Sequence, residues 1–118
     1  MEPLIHSKLR ALCRLDDIPD NGAKGFPPDE GQFTGLMAIR QGNAVHVYQN
    51  ACPHIGTPLD WVPDRFLSSD GRFIICATHG AEFTITDGTC ISGPCKGDRL
   101  TLVDVVILDG MIHVSPGA

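Results

Sequence analysis

Four residues of this chain have the chemistry of metal ligands, and they fall into two mixed pairs. Cys52 and His54 stand two apart in CPHIGTPLD (52–60), and Cys76 and His79 stand three apart in CATHGAEF (76–83). The pattern is C-x-H, a spacer of 21 residues, then C-x-x-H. Each stretch offers one thiolate sulfur and one imidazole nitrogen. Two Cys and two His can hold zinc in a tetrahedron. They can also hold a two-iron cluster in which two His replace two Cys on one iron. Zinc fingers usually pair like with like, as C-x2–4-C and H-x3–5-H. Here each pair is mixed, which suits the two-iron case: each loop sends its sulfur to one iron and its nitrogen to the other.

Such loops need rigid strands beneath them, and the sequence supplies short β-type runs between turn signals. QGN (41–43), SDG (69–71), TDG (86–88) and LDG (108–110) mark the turns. FTGLMAIR (33–40) and NAVHVYQN (43–50) read as one hairpin, and RFIICA (72–77) and AEFTIT (81–86) flank the second ligand loop. RLTLVDVVIL (99–108) and MIHV (111–114) read as a hairpin closing on Asp109-Gly110. The alternation in the first of these changes phase between Leu102 and Val103, which predicts a bulge or a strand that crosses between sheets. RALCRL (10–15) reads as a first strand, and PDNGAKGFPPDEG (19–31) as a long loop rich in Gly and Pro. No stretch holds a 3.6-residue period over ten or more residues. The expected fold class is all-β, with small antiparallel sheets and loops gathered at one end.

A chain of 118 residues is sized for one domain, taken as 1–118. An apolar content of 42% with 19% charged residues is that of a globular protein with its own core. A formal net charge of −5 argues against nucleic acid and anionic membrane as partners. The opening MEPLIHSKLRALCRLDD does not read as a signal peptide, because His6, Ser7, Lys8 and Arg10 break its apolar stretch. No segment reaches the ~18–20 apolar residues of a membrane span. The expected location is therefore cytoplasmic, where thiols stay reduced. Five cysteines, an odd number, fit ligands plus free thiols better than a disulfide framework.

Together, CPHIGTPL and CATHGAEFTITDGTCISGP resemble the Rieske [2Fe–2S] pattern, over roughly residues 10–115. The resemblance implies one [2Fe–2S] cluster per chain, with Cys52 and Cys76 on one iron and His54 and His79 on the other. It also implies the Rieske fold: three small antiparallel sheets, with a cluster-binding subdomain (about 50–96) inserted in a sandwich-like base. SGP (92–94) matches the Pro-containing loop that covers the cluster in this family, and Leu59 an apolar residue near it. The respiratory branch of the family has an extra cysteine in each ligand loop, joined as a disulfide. Thr57 and Thr78 stand at those positions, so no such disulfide forms. Ala81 replaces a serine whose hydroxyl sits near a bridging sulfide. Fewer donors to the sulfurs leave the reduced, more negative cluster less stabilised, so the potential is expected near the low end of the range, about −150 mV. The segment WVPDRFLSSDG (61–71) is an insertion of open role.

The function implied is that of a stand-alone one-electron carrier, with a flavin reductase as donor and an oxygenase or similar protein as acceptor. With two thiolates instead of four, the oxidised centre is neutral and accepts an electron more readily than a four-Cys cluster. An oxygenase proper needs a further mononuclear iron site, for which residues 96–118 leave no room. An electron-transfer subunit of a larger oxidoreductase complex is the alternative, followed by a zinc-stabilised interaction or redox-sensing module. The other candidates read as structural. Cys90 and Cys95 are expected to be small buried thiols rather than a second metal or redox pair, and Cys13 a core residue. His46 and His113 are expected to be surface or satisfied strand histidines, with His6 in a mobile N-terminus. Trp61 is expected to pack under the ligand loops rather than form a docking surface. Asp16, Asp17, Asp20, Asp29 and Glu30 read as a solvated face.

Overall fold

Asp109 and Gly110 both take left-handed backbone, at φ 52° and 77°. That is the geometry a two-residue turn needs to match the twist of its flanking strands. The computed structural model describes residues 9–28, 34–53, 56, 58–60, 64–77 and 80–114. Its strands are β1 (Arg10–Arg14), β2 (Ala23–Phe26), β3 (Leu36–Gln41), β4 (Ala44–Gln49), β5 (Phe73–Ile75), β6 (Glu82–Thr84), β7 (Cys90–Ser92), β8 (Leu102–Val103), β9 (Val105–Leu108) and β10 (Met111–Val114). One 3-10 turn (Leu15–Asp17) follows β1. The strands form three antiparallel sheets, ordered β1-β10-β9, β2-β3-β4-β8 and β5-β6-β7. The expected all-β class with three small antiparallel sheets is what the chain adopts.

The two expected hairpins form, at Gly42-Asn43 and at Asp109-Gly110, and the runs that flank the second loop pair as β5 and β6. The phase change near Leu102 is a crossing between sheets. β8 pairs with β4 while β9 pairs with β10, and the break falls at Asp104. Two readings need correction. The stretch 19–31 is not loop throughout: β2 lies inside it, paired from Ala23↔Ile39 to Phe26↔Leu36. CIS (90–92) is also a strand, β7, against β6. Residues 29–33, the head of the first hairpin segment included, lie outside the described residues, as do Asp29 and Glu30.

The run Leu36-Met37-Ala38-Ile39 explains how one short chain builds two cores. Successive side chains of a strand point to opposite faces, yet all four are fully buried. Leu36 and Ala38 join Val45, Val47, Ile112 and Val114 on the side of the β1-β10-β9 sheet. Met37 and Ile39 join Tyr48, Leu59, Phe66, Phe83, Cys52 and Cys76 on the side of the ligand loops. β3 is thus a central strand covered on both faces, which is why it reads as a continuous apolar run without alternation. Cys13 is half-buried against the first of these cores, and burial raises its thiol pKa. His46 and His113 are half-buried strand residues, and His113 Nδ1 lies 3.1 Å from the Met111 carbonyl oxygen. Asp16, Asp17 and Asp20 are exposed. Asp20 Oδ1 accepts from the Gly42 N–H at 2.7 Å, so this acid also fastens the β3–β4 turn.

Candidate metal centre

Asn50, one residue past β4, holds both ends of the first ligand loop. Its side-chain oxygen accepts from the Leu59 N–H at 2.8 Å, and its side-chain nitrogen donates to Asp60 Oδ1 at 3.0 Å. Its own N–H donates to the Gly35 carbonyl at 2.9 Å, which anchors the loop base beside β3. Inside the loop the Cys52 carbonyl accepts from the Gly56 N–H at 2.6 Å. The second loop leaves β5 and returns into β6, with Cys76 N–H on the Ala81 carbonyl at 2.9 Å. There the Cys76 carbonyl accepts from the Gly80 N–H at 2.8 Å. The two loops therefore use one device: a cysteine carbonyl closed by the glycine four residues on. Both glycines are left-handed, at φ 78° and 70°, a conformation that a side chain disfavours.

The loops are also bonded to each other, through the Ala77 N–H and the Leu59 carbonyl at 2.9 Å. Leu59 is fully buried at this joint. Cys52 and Cys76 are buried too, and share one core cluster. His54, His79, Thr57, Thr78 and Trp61 lie outside the described residues, as does His6. Two buried thiols on two cross-linked, glycine-closed turns suit a soft metal centre, since thiolate is the ligand form of Cys. Among the described residues no three His, Cys, Asp or Glu are grouped to hold a metal ion. Cys90 and Cys95 thus lack a third ligand among them.

The segment 92–97 covers the second loop closely. Gly93 sits at φ 104°, and a β-carbon on it would lie 2.8 Å from Ala81 Cα and 3.1 Å from Ala81 Cβ. Only glycine allows that approach. Backbone bonds fix the turn: Cys90 N–H to Asp98 at 2.8 Å, Gly97 N–H to Cys90 at 3.1 Å and Asp98 N–H to Cys95 at 2.8 Å. The turn carries Cys95 to within 3.0 Å, sulfur to sulfur, of Cys90. Both thiols are buried, as expected. Burial, then the Cys90 hydrogen bond and the sulfurs of Cys90 and Cys52, push the Cys95 thiol up to about 12.

Two further supports were not read from the sequence. Tyr48 donates its phenol proton to the Ile85 carbonyl at 2.5 Å, tying β4 to the turn after β6. Burial, with Asp87 as the lesser cause, raises that phenol to about 12. The described part of the 61–71 segment extends the third sheet: Leu67 bridges Ile74, and Ile75 N–H donates to the Phe66 carbonyl at 2.7 Å. Phe66 is fully buried, with its ring under Gly25 of β2. Asp64 Oδ1 accepts from the Gly25 N–H at 2.7 Å. This segment thus couples the β5-β6-β7 sheet to the central one. A cavity of about 420 Å³ flanks the first loop, lined by Phe26, Pro28, Gly35, Gly56, Pro58 and Asp60 among others, but by neither Cys52 nor Cys76.

Comparison with known proteins gives a consistent picture. The Rieske [2Fe–2S] domain family matches residues 9–107. No curated protein sequence matches the chain. Among solved structures, the ferredoxin of carbazole 1,9a-dioxygenase from Nocardioides aromaticivorans IC177 is 24% identical, with a TM-score of 0.74 over 92% of this chain and 98% of that one. A chain in the complex of reduced oxygenase and oxidized ferredoxin in carbazole 1,9a-dioxygenase is 22% identical, with a TM-score of 0.74 over 92% of this chain and 93% of that one. The terminal oxygenase of carbazole 1,9a-dioxygenase from Novosphingobium sp. KA1 is 16% identical, with a TM-score of 0.75. There 93% of this chain covers only 30% of that one. At these identities the likeness is one of fold. No helix among the described residues is long and apolar enough to cross a membrane.

Proposed function

The chain belongs to the Rieske [2Fe–2S] domain family, and from that premise we propose that it is a one-electron carrier between a reductase and an oxygenase or similar acceptor. The observation that carries the reading is the pair of cross-linked turns, each closing a buried cysteine onto a left-handed glycine. We assign Cys52, His54, Cys76 and His79 as the cluster ligands, one Cys and one His per loop. When bound, the cluster accepts and releases a single electron with its metal ions held in place. Cys52 and Cys76 bind as thiolates on the buried side. Leu59 shields that side from water, and a lower local dielectric favours the state of lower charge. Asn50 and the Leu59–Ala77 bond hold the two loops in register, so little rearrangement accompanies charge transfer.

The neighbours support the choice of acceptor. One similar chain is in a complex of oxygenase and ferredoxin, and similar folds serve both as ferredoxin and within a terminal oxygenase. We propose the same kind of pairing here, with a flavin-containing reductase as donor, in the cytoplasm. The whole chain, 1–118, acts as one domain in this reading, with residues 50–96 as its cluster-binding part. The test is an absorption and EPR spectrum of anaerobically purified protein before and after dithionite. Expected is a coloured protein that becomes EPR-active on reduction, with the low average g-value of a His-ligated cluster. Cys52→Ser and His79→Ala are expected to abolish both signals. A colourless protein holding stoichiometric zinc, or an intact spectrum in either variant, overturns the assignment.

A further inference from the structure

Cys90 and Cys95 have no place in the four-residue ligand pattern, yet the fold brings their sulfurs together. The two Sγ atoms are 3.0 Å apart, inside the van der Waals separation of two sulfurs. Both side chains are only 2% exposed. They lie one layer deep, because residues 91–94 and 96–99 around them are all exposed. Cys13 is apart from them, against the other core cluster.

The backbone already encloses the pair. Cys90 N–H donates to the Asp98 carbonyl at 2.8 Å, Gly97 N–H to the Cys90 carbonyl at 3.1 Å and Asp98 N–H to the Cys95 carbonyl at 2.8 Å. Gly93, seated on Ala81, fixes the far side of the same turn. A disulfide bond is about 2.03–2.05 Å long, so the two sulfurs need to approach by about 1 Å. Side-chain rotation inside a turn that is already closed supplies such a movement. Cys95 donates its S–H to Cys90 Sγ, so the two sulfurs face each other directly.

We propose that Cys90 and Cys95 form a second redox site, a dithiol that hydrogen peroxide converts to a disulfide tying the cover turn to β7. The site goes beyond the electron-carrier reading and does not rest on the ligand assignment, since neither cysteine is among the four. The oxidant is small and uncharged, as reaching thiols one layer deep requires. One cysteine, as thiolate, attacks a peroxide oxygen. The O–O bond breaks, the departing hydroxide takes up the proton that thiol released, and a sulfenic acid remains. The second sulfur attacks the first, the S–O bond breaks, and hydroxide leaves as water with the second thiol's proton. In sum, two thiols and one peroxide give one disulfide and two waters: the sulfurs lose two electrons and the peroxide gains them. Burial keeps the thiolate scarce, so oxidation is slow. A partner sulfur at 3.0 Å captures the sulfenic acid before it climbs to sulfinic acid. The bond restricts the opened turn more than the closed one, so it locks the cover segment, and thiol exchange with a reductant releases it.

The experiment treats the cluster-loaded protein with hydrogen peroxide at a dose that leaves its visible spectrum intact, then alkylates it under denaturing conditions. Tryptic cleavage after Arg72 and Lys96 places Cys76, Cys90 and Cys95 on one peptide, 73–96. Expected is loss of two hydrogens from that peptide, with Cys76 alkylated, Cys90 and Cys95 protected, and full reversal by dithiothreitol. Amide hydrogen exchange at Gly97 and Asp98 is expected to slow about 10- to 30-fold in the oxidised form. Cys95→Ser is expected to show neither change. Cysteines 90 and 95 both alkylated, a bridge that includes Cys76, or bleaching of the spectrum before any bridge forms overturns the proposal. Unchanged exchange in the bridged protein refutes the lock, and so does equal slowing in peroxide-treated Cys95→Ser.

Discussion

Replacing Gly93 by alanine tests whether the cover segment is seated as tightly as the geometry requires. Two penalties apply. The first is backbone strain, because φ 104° disfavours any side chain, at about 1–2 kcal/mol. The second is overpacking against Ala81, whose backbone α-carbon would lie 2.8 Å from the new β-carbon, at about 1–3 kcal/mol. Gly97 isolates the first penalty: it too is left-handed, at φ 97°, but a β-carbon there meets nothing within 4 Å. Gly93→Ala should therefore exceed Gly97→Ala by about 1–3 kcal/mol, or roughly 5- to 160-fold in the constant for opening the segment. The assay is the rate at which the visible spectrum bleaches in moderate urea, read as opening of the cover ahead of cluster loss. Adding Ala81→Gly to Gly93→Ala should restore only part of the difference, since it removes the methyl group at 3.1 Å and leaves the backbone carbon at 2.8 Å. Equal bleaching rates for the two single variants would refute the seating argument.

Tyr48→Phe should destabilise the protein at pH 7 by about 1–3 kcal/mol, because the Ile85 carbonyl loses its partner. Wild type should also lose stability between about pH 10 and 12, where the unfolded chain gives up the phenol proton and the folded one keeps it. Urea midpoints across that range should show this loss shrinking in Tyr48→Phe, and parallel profiles would refute the link. Phe66→Ala should cost about 3–5 kcal/mol, because a fully buried ring between Gly25 and the third sheet is removed. A urea midpoint near wild type would mean that the 61–71 segment does not couple the two sheets.

Much of this was legible where the cause is local. Asp109-Gly110 demands left-handed backbone from the two residues that tolerate it, so the terminal hairpin can be read directly. Leu36–Ile39 is apolar throughout because both of its faces are covered. What could not be read is held from a distance. β2 contains Lys24 and Gly25, poor strand formers. It is a strand because β3 templates it, Asp64 binds its backbone and Phe66 occupies the space above Gly25. β7 has three residues, too few to show alternation, and is fixed by β6 and by Asp98. The same division holds at the site. The residue types and spacing of the two loops stand out, and Cys52 and Cys76 are both buried in the core beneath them. The clamp at Asn50 and the approach of Cys95 to Cys90 exist only once the chain has folded.

The pairing of β1 with β10 bears on how the molecule assembles. Arg10 lies opposite Val114, so closing that sheet means joining segments on the order of a hundred residues apart, with the loop entropy that entails. The third sheet needs only residues 73–92 to come together, and contacts of short sequence separation form fastest. The sheet that carries Cys76 can thus take shape early, both on the ribosome and on refolding. The Cys52 loop leaves the β3–β4 hairpin, itself a local pairing, so both cysteine loops can be in place before the terminal strands lock the base around them.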